Sequence, residues 1–256
     1  MDLFYAFLPE LVVVLVLLLI EQRKGQGQHD GWRNLQVTLL QIAVVLFLVP
    51  LLHGWAGPAL IDGAHLPFWA GLLIFFVVRD GLEWLFHVAQ HRIPFLWALH
   101  SLHHSDPNMS VLTTQRHYWA DPLIKQVTIW SATLMVIRPT GAIAFAFGIA
   151  SLWNFFAHAD LPINFGRWSW VLNSPAYHRR HHSTQPEHYD QNFAAVLPIF
   201  DLLCGFYRRP EGRPTTGMPR RPQSLGEVLI WPLIWNKPRA VEGEREAPAS
   251  APHLQA

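Results

Sequence analysis

Leu66-Pro-Phe-Trp-Ala-Gly-Leu-Leu-Ile-Phe-Phe-Val-Val78 runs without a break into Arg79-Asp-Gly-Leu-Glu83-Trp-Leu-Phe-His87-Val-Ala-Gln-His91. The first part is apolar and uncharged; the second is polar and ends in imidazoles. His87 and His91 stand four residues apart, so a helix carries both on one side, and Glu83 extends the same stripe. A helix of this pattern leaves a membrane and carries its register into a polar compartment.

Further apolar runs flank this stretch. Leu3 to Ile20 is interrupted only by Pro9 and Glu10, and Leu35 to Leu52 has Gln36, Thr38 and Gln41 as its strongly polar members. Each approaches the roughly 20 residues that cross a bilayer as a helix. Two such runs so close together are hard to enclose in a small soluble core. The first does not read as a cleaved leader, because Asp2 is its only early charge and no small-residue cleavage site follows. Leu123 to Ile137 and Gly141 to Ala157 form a second hairpin, with Arg138-Pro139-Thr140 as the connection. Ala194 to Phe206 contains Pro198 and Asp201 and reads as interfacial or as core of the polar domain, not as a span; Glu227 to Trp235 reads as a short interfacial helix.

Composition agrees. The 256 residues are 51% hydrophobic and 14% charged, against roughly 25% charged in a soluble domain. Nineteen basic and eighteen acidic residues leave a net charge of +1, which excludes nucleic acid as a partner. The single cysteine, Cys204, excludes a disulfide framework, a four-cysteine cluster and a cysteine-rich zinc site. Arg23, Lys24 and Arg33 follow the first run, and Arg167, Arg179, Arg180, Arg208 and Arg209 follow the last; the loop from His53 to His65 has no Lys or Arg. The positive-inside tendency puts the basic segments in the cytoplasm, with Arg138 dissenting. The expected fold is an all-α integral membrane protein. About four transmembrane helices in two hairpins carry a cytoplasmic helical cap. The expected division is 1–65 as an N-terminal membrane hairpin, 66–207 as the histidine domain, 208–237 as a basic interfacial segment and 238–256 as a disordered tail.

Fifteen residues are histidine, and eleven of them lie between His87 and His188. His100, His103 and His104 form an HxxHH group; His178, His181 and His182 form another; His158 stands between, with His117 and His188 in less regular sequence. His29, His53, His65 and His253 are isolated and read as ordinary surface or core residues. Clustered neutral imidazoles have no packing advantage and repel when protonated, so a metal is what favours them. One ion takes about four to six ligands, so nine to eleven imidazoles imply two ions. The hydrolytic HExxH pattern is absent. A nitrogen-rich site at a membrane face points to redox chemistry on a lipid.

These residues resemble the fatty acid hydroxylase/sterol desaturase superfamily. The resemblance rests on Asp80 to His91, Pro94 to Ser105, Arg116-His117, Phe156-Ala-His158, Asn173 to Ser183, Asp190-Gln-Asn192-Phe193 and Asp201 to Phe206. It implies a cytoplasmic cap holding a di-iron centre, or zinc in its place, and oxygen-dependent hydroxylation or desaturation of a lipid. His87, His91, His100, His103, His104, His158, His178, His181 and His182 match the family's boxes. His117 and His188 sit where members often carry histidine. Val88, Asn192-Phe193-Ala194 and Cys204-Gly205-Phe206 depart from common family residues, which blurs the substrate.

On this reading Asp80, Glu83 and Asn192, with Asp106 or Asp190, orient the ligands, and Trp84, Trp97, Trp119 and Trp153 wall a dry channel. No dinucleotide fingerprint or fused cytochrome is visible, so electrons come from a separate donor: a b-type cytochrome, a ferredoxin or a reductase. The competing readings are a membrane metal-binding or transport protein and a bis-histidine haem carrier. Transport calls for ionisable residues along the spans, and a haem carrier needs only two histidines per haem.

Overall fold

Phe68–Arg92 is one helix of 25 residues, so the apolar and imidazole-bearing halves of the opening stretch share one rod. The computed structural model describes residues 3–23, 30–52 and 58–236. The readings of His29, His53 and His253, and of the tail at 238–256, lie outside them. The helices in chain order begin with α1 (Leu3–Arg23), α2 (Gly31–Phe47), α3 (Phe68–Arg92) and α4 (Pro94–His104). They continue with α5 (Asp121–Lys125), α6 (Ser131–Val136), α7 (Gly141–Ser151) and α8 (Trp153–His158). Last come α9 (Pro175–His181), α10 (Ile199–Cys204) and α11 (Leu225–Leu229). A π-helical turn, Gln126–Trp130, joins α5 to α6. The sheet among the described residues is one short parallel pair, β1 (Ile61–Asp62) with β2 (Ile137–Arg138). The architecture is all-α in kind.

Helix α2 is inverted relative to a water-soluble helix. It buries Asn34 and Gln41 along with Val37 and Val44, and it exposes Leu35, Leu39, Ile42, Val45 and Phe47. In water that pattern is unfavourable on both faces; against hydrocarbon it is favourable on both. Helix α1 exposes Leu11, Val12, Leu15, Val16 and Leu19, α3 exposes Trp69 and Leu73, and α7 exposes Phe145 and Ile149. Among the described residues Gly141–His158 is the stretch long and apolar enough to cross a membrane, and only 22% of it is buried, unlike a core helix. These features point to a membrane protein.

The strand pair ties the chain before α3 to the tip of the second hairpin, at the end of α3 away from His87 and His91. Gly63 is required there, because a Cβ would lie 2.6 Å from the Arg138 carbonyl oxygen. Thr140 caps α7 by accepting from the Ile143 amide. At the other end the extended Ile93 turns the chain, and Pro94 starts α4 in the first helical turn, where a missing amide donor does no harm.

Helices α1 and α2 pack on the 3-10 turn Val111–Gln115; α1 also meets α8, and α2 meets α5. Leu17 of α1 joins Val111, Phe155 and Leu161 in one apolar cluster. Buried Arg116 donates to Asn34 (2.7 Å) and Asp30 (3.0 Å), and Asn34 donates to Asp106 (2.7 Å). The N-terminal helices are thus bonded into the histidine-bearing segment.

Candidate metal centre

The sequence delivers imidazoles to one place from four helices. Helix α3 brings His87 and His91, α4 brings His100, His103 and His104, α8 ends on His158, and α9 brings His178 and His181, with His182 next in the chain. Ser174 caps α9 by accepting from the Tyr177 amide, and Pro175 opens its first turn, so this short helix starts at a fixed place.

The nine imidazoles separate into two groups. His87, His91, His100, His104 and His181 have one nitrogen each within 4.8 Å of one another; His103, His158, His178 and His182 form the second set on the same criterion. The close approaches are between Nε2 atoms: His87 to His100 at 3.1 Å, His91 to His104 at 3.2 Å, His103 to His158 at 3.1 Å and His158 to His178 at 2.9 Å.

Backbone carbonyls fix the tautomers. The Nδ1 of His87 donates to the Phe193 carbonyl (2.7 Å), that of His158 to Asn154 (2.7 Å) and that of His181 to Gln191 (2.9 Å). A carbonyl only accepts, so each Nδ1 carries the proton and each Nε2 presents a lone pair. His181 Nε2 is buried without a hydrogen-bond partner, as are the Nδ1 atoms of His100, His103 and His178. Converging lone pairs cannot all be satisfied by the few imidazole protons present. A cation at each focus satisfies them, and the neutral-nitrogen donor set suits a borderline metal such as iron or zinc. The residues fit the metals their chemistry calls for.

Electrostatics agrees. Burial removes the hydration of an imidazolium and pushes His87 down to about 4. His91, His100, His103, His104, His178, His181 and His182 also lie well below the ordinary histidine value, chiefly through burial and then through neighbouring imidazoles. The site is held neutral and nucleophilic, the form a metal needs.

His117 and His188 stand outside both groups. His117 stacks on His103, with ring centres 4.4 Å apart, and its Nδ1 faces Asp121 at 3.7 Å. His188 bonds the Ser183 hydroxyl at 2.9 Å.

The expected orienting groups have other partners. Asp80 accepts from the Leu197 amide (2.9 Å), and Glu83 pairs with Arg79 (2.6 Å) and Lys125 (2.8 Å). Asp106 accepts from Asn34 and Thr113. Asp190 alone of these faces an imidazole, 3.5 Å from His91 Nδ1. Asn192 holds the backbone of Arg208, accepting from its amide (2.7 Å) and donating to its carbonyl (2.9 Å). The physical reason is geometric: these side chains are committed to helix and loop packing, and carbonyls reach the ring nitrogens instead. Among the described residues Asp190 and Asn192 are the two non-glycine residues with positive φ, 56° and 57°, on either side of Gln191. That left-handed conformation suits Asp and Asn better than other residues, and it lies beside the carbonyls of Gln191 and Phe193.

Asp201 was not legible as a determinant. Fully buried on α10, it accepts from Trp84 Nε1 (2.9 Å), the Phe193 amide (3.1 Å), the Ala194 amide (2.9 Å) and the Tyr177 hydroxyl. It therefore pins the segment whose carbonyl holds His87.

A cavity of about 610 Å³ opens on the imidazoles of His91, His104, His181 and His182 and is walled by Trp97, Tyr189 and Met218. Of the tryptophans expected along a channel, Trp97 lines it; Trp84 is anchored on Asp201 and Trp153 on the Asn173 carbonyl.

A helical membrane protein carrying two convergent polyhistidine groups defines a class, the histidine-box metalloproteins. The fatty acid hydroxylase family model matches residues 72–206, more than half of the chain, and the chain belongs to that family. It is 29% identical to alkylglycerol monooxygenase of Xenopus tropicalis over 66% of this chain and 39% of that protein. It is 27% identical to ornithine lipid hydroxylase OlsE of Rhizobium tropici over 52% of this chain and 40% of that one. It is 25% identical to human cholesterol 25-hydroxylase over 67% of this chain and 64% of that one. The chain thus spans about two fifths of the length of the alkylglycerol monooxygenases it matches. No solved structure matches it significantly.

Proposed function

We propose that this protein is a membrane-bound lipid hydroxylase that holds two iron ions and uses dioxygen with electrons from a separate donor. The observation that carries the reading is the pair of imidazole groups, of five and four, with carbonyl-fixed lone pairs aimed inward. His87, His91, His100, His104 and His181 would hold one ion, and His103, His158, His178 and His182 the other. Bound there, iron supplies dioxygen activation and the removal of hydrogen from a C–H bond.

The protein's own part is positional. The carbonyls of Phe193, Asn154 and Gln191 keep their imidazoles in the ligating tautomer, and burial keeps the groups neutral. Two helical hairpins, α1 with α2 and α5–α6 with α7–α8, give about four crossings of the bilayer, and α3 packs beside the second. The basic segments after α3 and after α8 support a metal centre at the cytoplasmic face. Hydroxylation is favoured over desaturation because the relatives above carry hydroxylase or monooxygenase names. A b-type cytochrome, a ferredoxin or a reductase delivers the electrons.

The test is metal analysis of the purified protein, followed by incubation with reductant, lipid and isotopically labelled dioxygen. Two irons per chain and labelled oxygen in the lipid are expected. A desaturated product without inserted oxygen would overturn the hydroxylase assignment. Metal transport into vesicles with no oxygen uptake would overturn the oxygenase assignment altogether.

A further inference from the structure

Not every imidazole of the metal centre is held in the same way. His87, His158 and His181 each donate from Nδ1 to a backbone carbonyl. His103 makes no such bond: its Nδ1 is buried without a partner, and its Nε2 faces one fellow ligand, His158, at 3.1 Å. His100 and His178 share the orphaned Nδ1, but each sets its Nε2 between two fellow ligands: His87 and His104 around His100, and His158 and His182 around His178. Ring packing therefore has to fix the plane of His103, and with it the direction of the lone pair it offers.

His117 supplies that packing. It lies flat on His103, with ring centres 4.4 Å apart and planes 10° from parallel, while His182 crosses the same ring at 73°, 4.5 Å away. Turning the His103 ring about its last side-chain bond would drive an edge into this plate, and a close-packed interior does not yield to it. The stack also excludes His117 as a ligand of the same ion. A metal lies in the plane of the imidazole that binds it, and the plane of His117 runs alongside that of His103 without meeting it at the ion. His117 accordingly stands outside both nitrogen groups.

The plate is itself tethered from three helices. The His117 carbonyl accepts from Gln41 of α2 (2.7 Å), and its Nδ1 faces Asp121 of α5 at 3.7 Å. Asp121 is buried; it accepts from Gln90 (3.1 Å), which lies between His87 and His91 on α3, and it pairs with Lys125 (3.3 Å). Lys125 pairs in turn with Glu83 of α3 (2.8 Å). Buried charges persist where they are paired and hydrogen-bonded, and these are. An apolar ring at position 117 would stack equally well, but histidine adds a nitrogen for Asp121 to hold.

We propose that His117 is a positioning residue of the four-imidazole group and not a ligand: it holds the His103 ring in the plane from which Nε2 meets the ion, and Asp121 holds His117. The inference rests on the reading of that group as an ion site and adds the residue on which its geometry depends.

The experiment titrates the full chain, in detergent and stripped of metal, with cobalt(II), whose visible absorption reports the number and arrangement of its ligands. Neither dioxygen nor lipid is needed. The parent is expected to take up two ions, and the one lost in His103→Ala marks the four-imidazole group. His117→Ala should weaken that ion by about 10–100-fold and alter its absorption even at saturation, with the other ion unchanged. His117→Phe keeps a flat ring and should restore the absorption and most of the affinity; Asp121→Asn, which keeps an oxygen toward His117, should fall between the two. His117→Ala binding both ions with the parent's affinity and absorption would overturn the proposal, because the stack would be passive. His117→Phe losing the ion as completely as His117→Ala would also overturn it, because His117 would then give the metal a nitrogen; this variant decides the matter even where His117→Ala does not fold. A parent that binds no ion at the four-imidazole group overturns both this proposal and the two-ion reading. A parent that binds two ions yet oxidises no lipid when loaded with iron would overturn the hydroxylase reading and leave this proposal standing.

Discussion

Asp201→Asn should loosen the metal centre without touching a ligand. The carboxylate receives four donors, two on each oxygen: Trp84 Nε1 and the Phe193 amide on Oδ1, the Ala194 amide and the Tyr177 hydroxyl on Oδ2. An asparagine has one accepting oxygen. Its best orientation keeps that oxygen toward Trp84 and Phe193 and turns the NH₂ toward Tyr177, whose hydroxyl rotates to accept. The Ala194 amide is then stranded, at about 1–3 kcal/mol for a buried donor. The surviving bonds also lose their charge assistance. The sum is about 2–4 kcal/mol, and at about 2–4 °C per kcal/mol for a chain of this size the melting temperature falls by about 5–15 °C. Because Phe193 carries the carbonyl that fixes His87, metal affinity should fall by about 10–100-fold, as for other groups that orient a ligand. Thermal unfolding in detergent and iron retained against a chelator measure the two effects. Tyr177→Phe removes one donor and serves as the mild control, at about 1 kcal/mol. If Asp201→Asn melted within about 1 °C of the parent and held iron equally well, the hub would be passive packing and the reasoning would fail.

His103→Ala should lower bound iron by about one per chain, whereas His188→Ala, bonded only to the Ser183 hydroxyl, should keep both; elemental analysis decides. The metal-free protein should lose stability as pH falls. Its buried histidines have folded values below the unfolded value of roughly 6.5, with His87 and His117 at about 4. Between those values the unfolded chain binds more protons, so the stabilisation is complete above the unfolded value and drains as pH drops toward 4, which melting curves across that range would show. Gly217→Ala forces a side chain onto φ 109°, with its Cβ 2.8 Å from Pro107 Cα. It should destabilise the strap beside the imidazole cavity by about 1–3 kcal/mol, visible as a lower melting temperature.

The membrane character was legible because it rests on residue type over long stretches. The runs at Leu35 to Leu52 and Gly141 to Ala157 correspond to helices with exposed apolar faces. Within the first of them Gln41 was legible only as an exception, and Asn34 stands just before it. The fold shows that they point inward, Gln41 donating to the His117 carbonyl (2.7 Å) and Asn34 serving Arg116 and Asp106. Hydropathy averages over a helix and does not reveal which face each residue takes.

The histidine centre divides the same way. Spacing alone placed His87 with His91, and His100 with His104, because a helix makes that geometry locally. The partition into groups of five and four was not legible. It sets His103 apart from its neighbours His100 and His104, and it sends His181 to one group and His182 to the other. A helical turn separates adjacent residues by about 100°, so successive histidines on one helix face two different foci. The HxxHH pattern therefore serves two foci at once. The carbonyls that hold ring nitrogens were not legible for a related reason. Acidic side chains such as Asp80 and Glu83 advertise themselves in a sequence, whereas a carbonyl belongs to every residue and carries no signature. What the sequence does carry is the pair Asp190 and Asn192, residue types that tolerate the left-handed backbone next to those carbonyls. The helices bring the imidazoles together, and the loop from 190 to 193 decides which of their nitrogens a metal would meet.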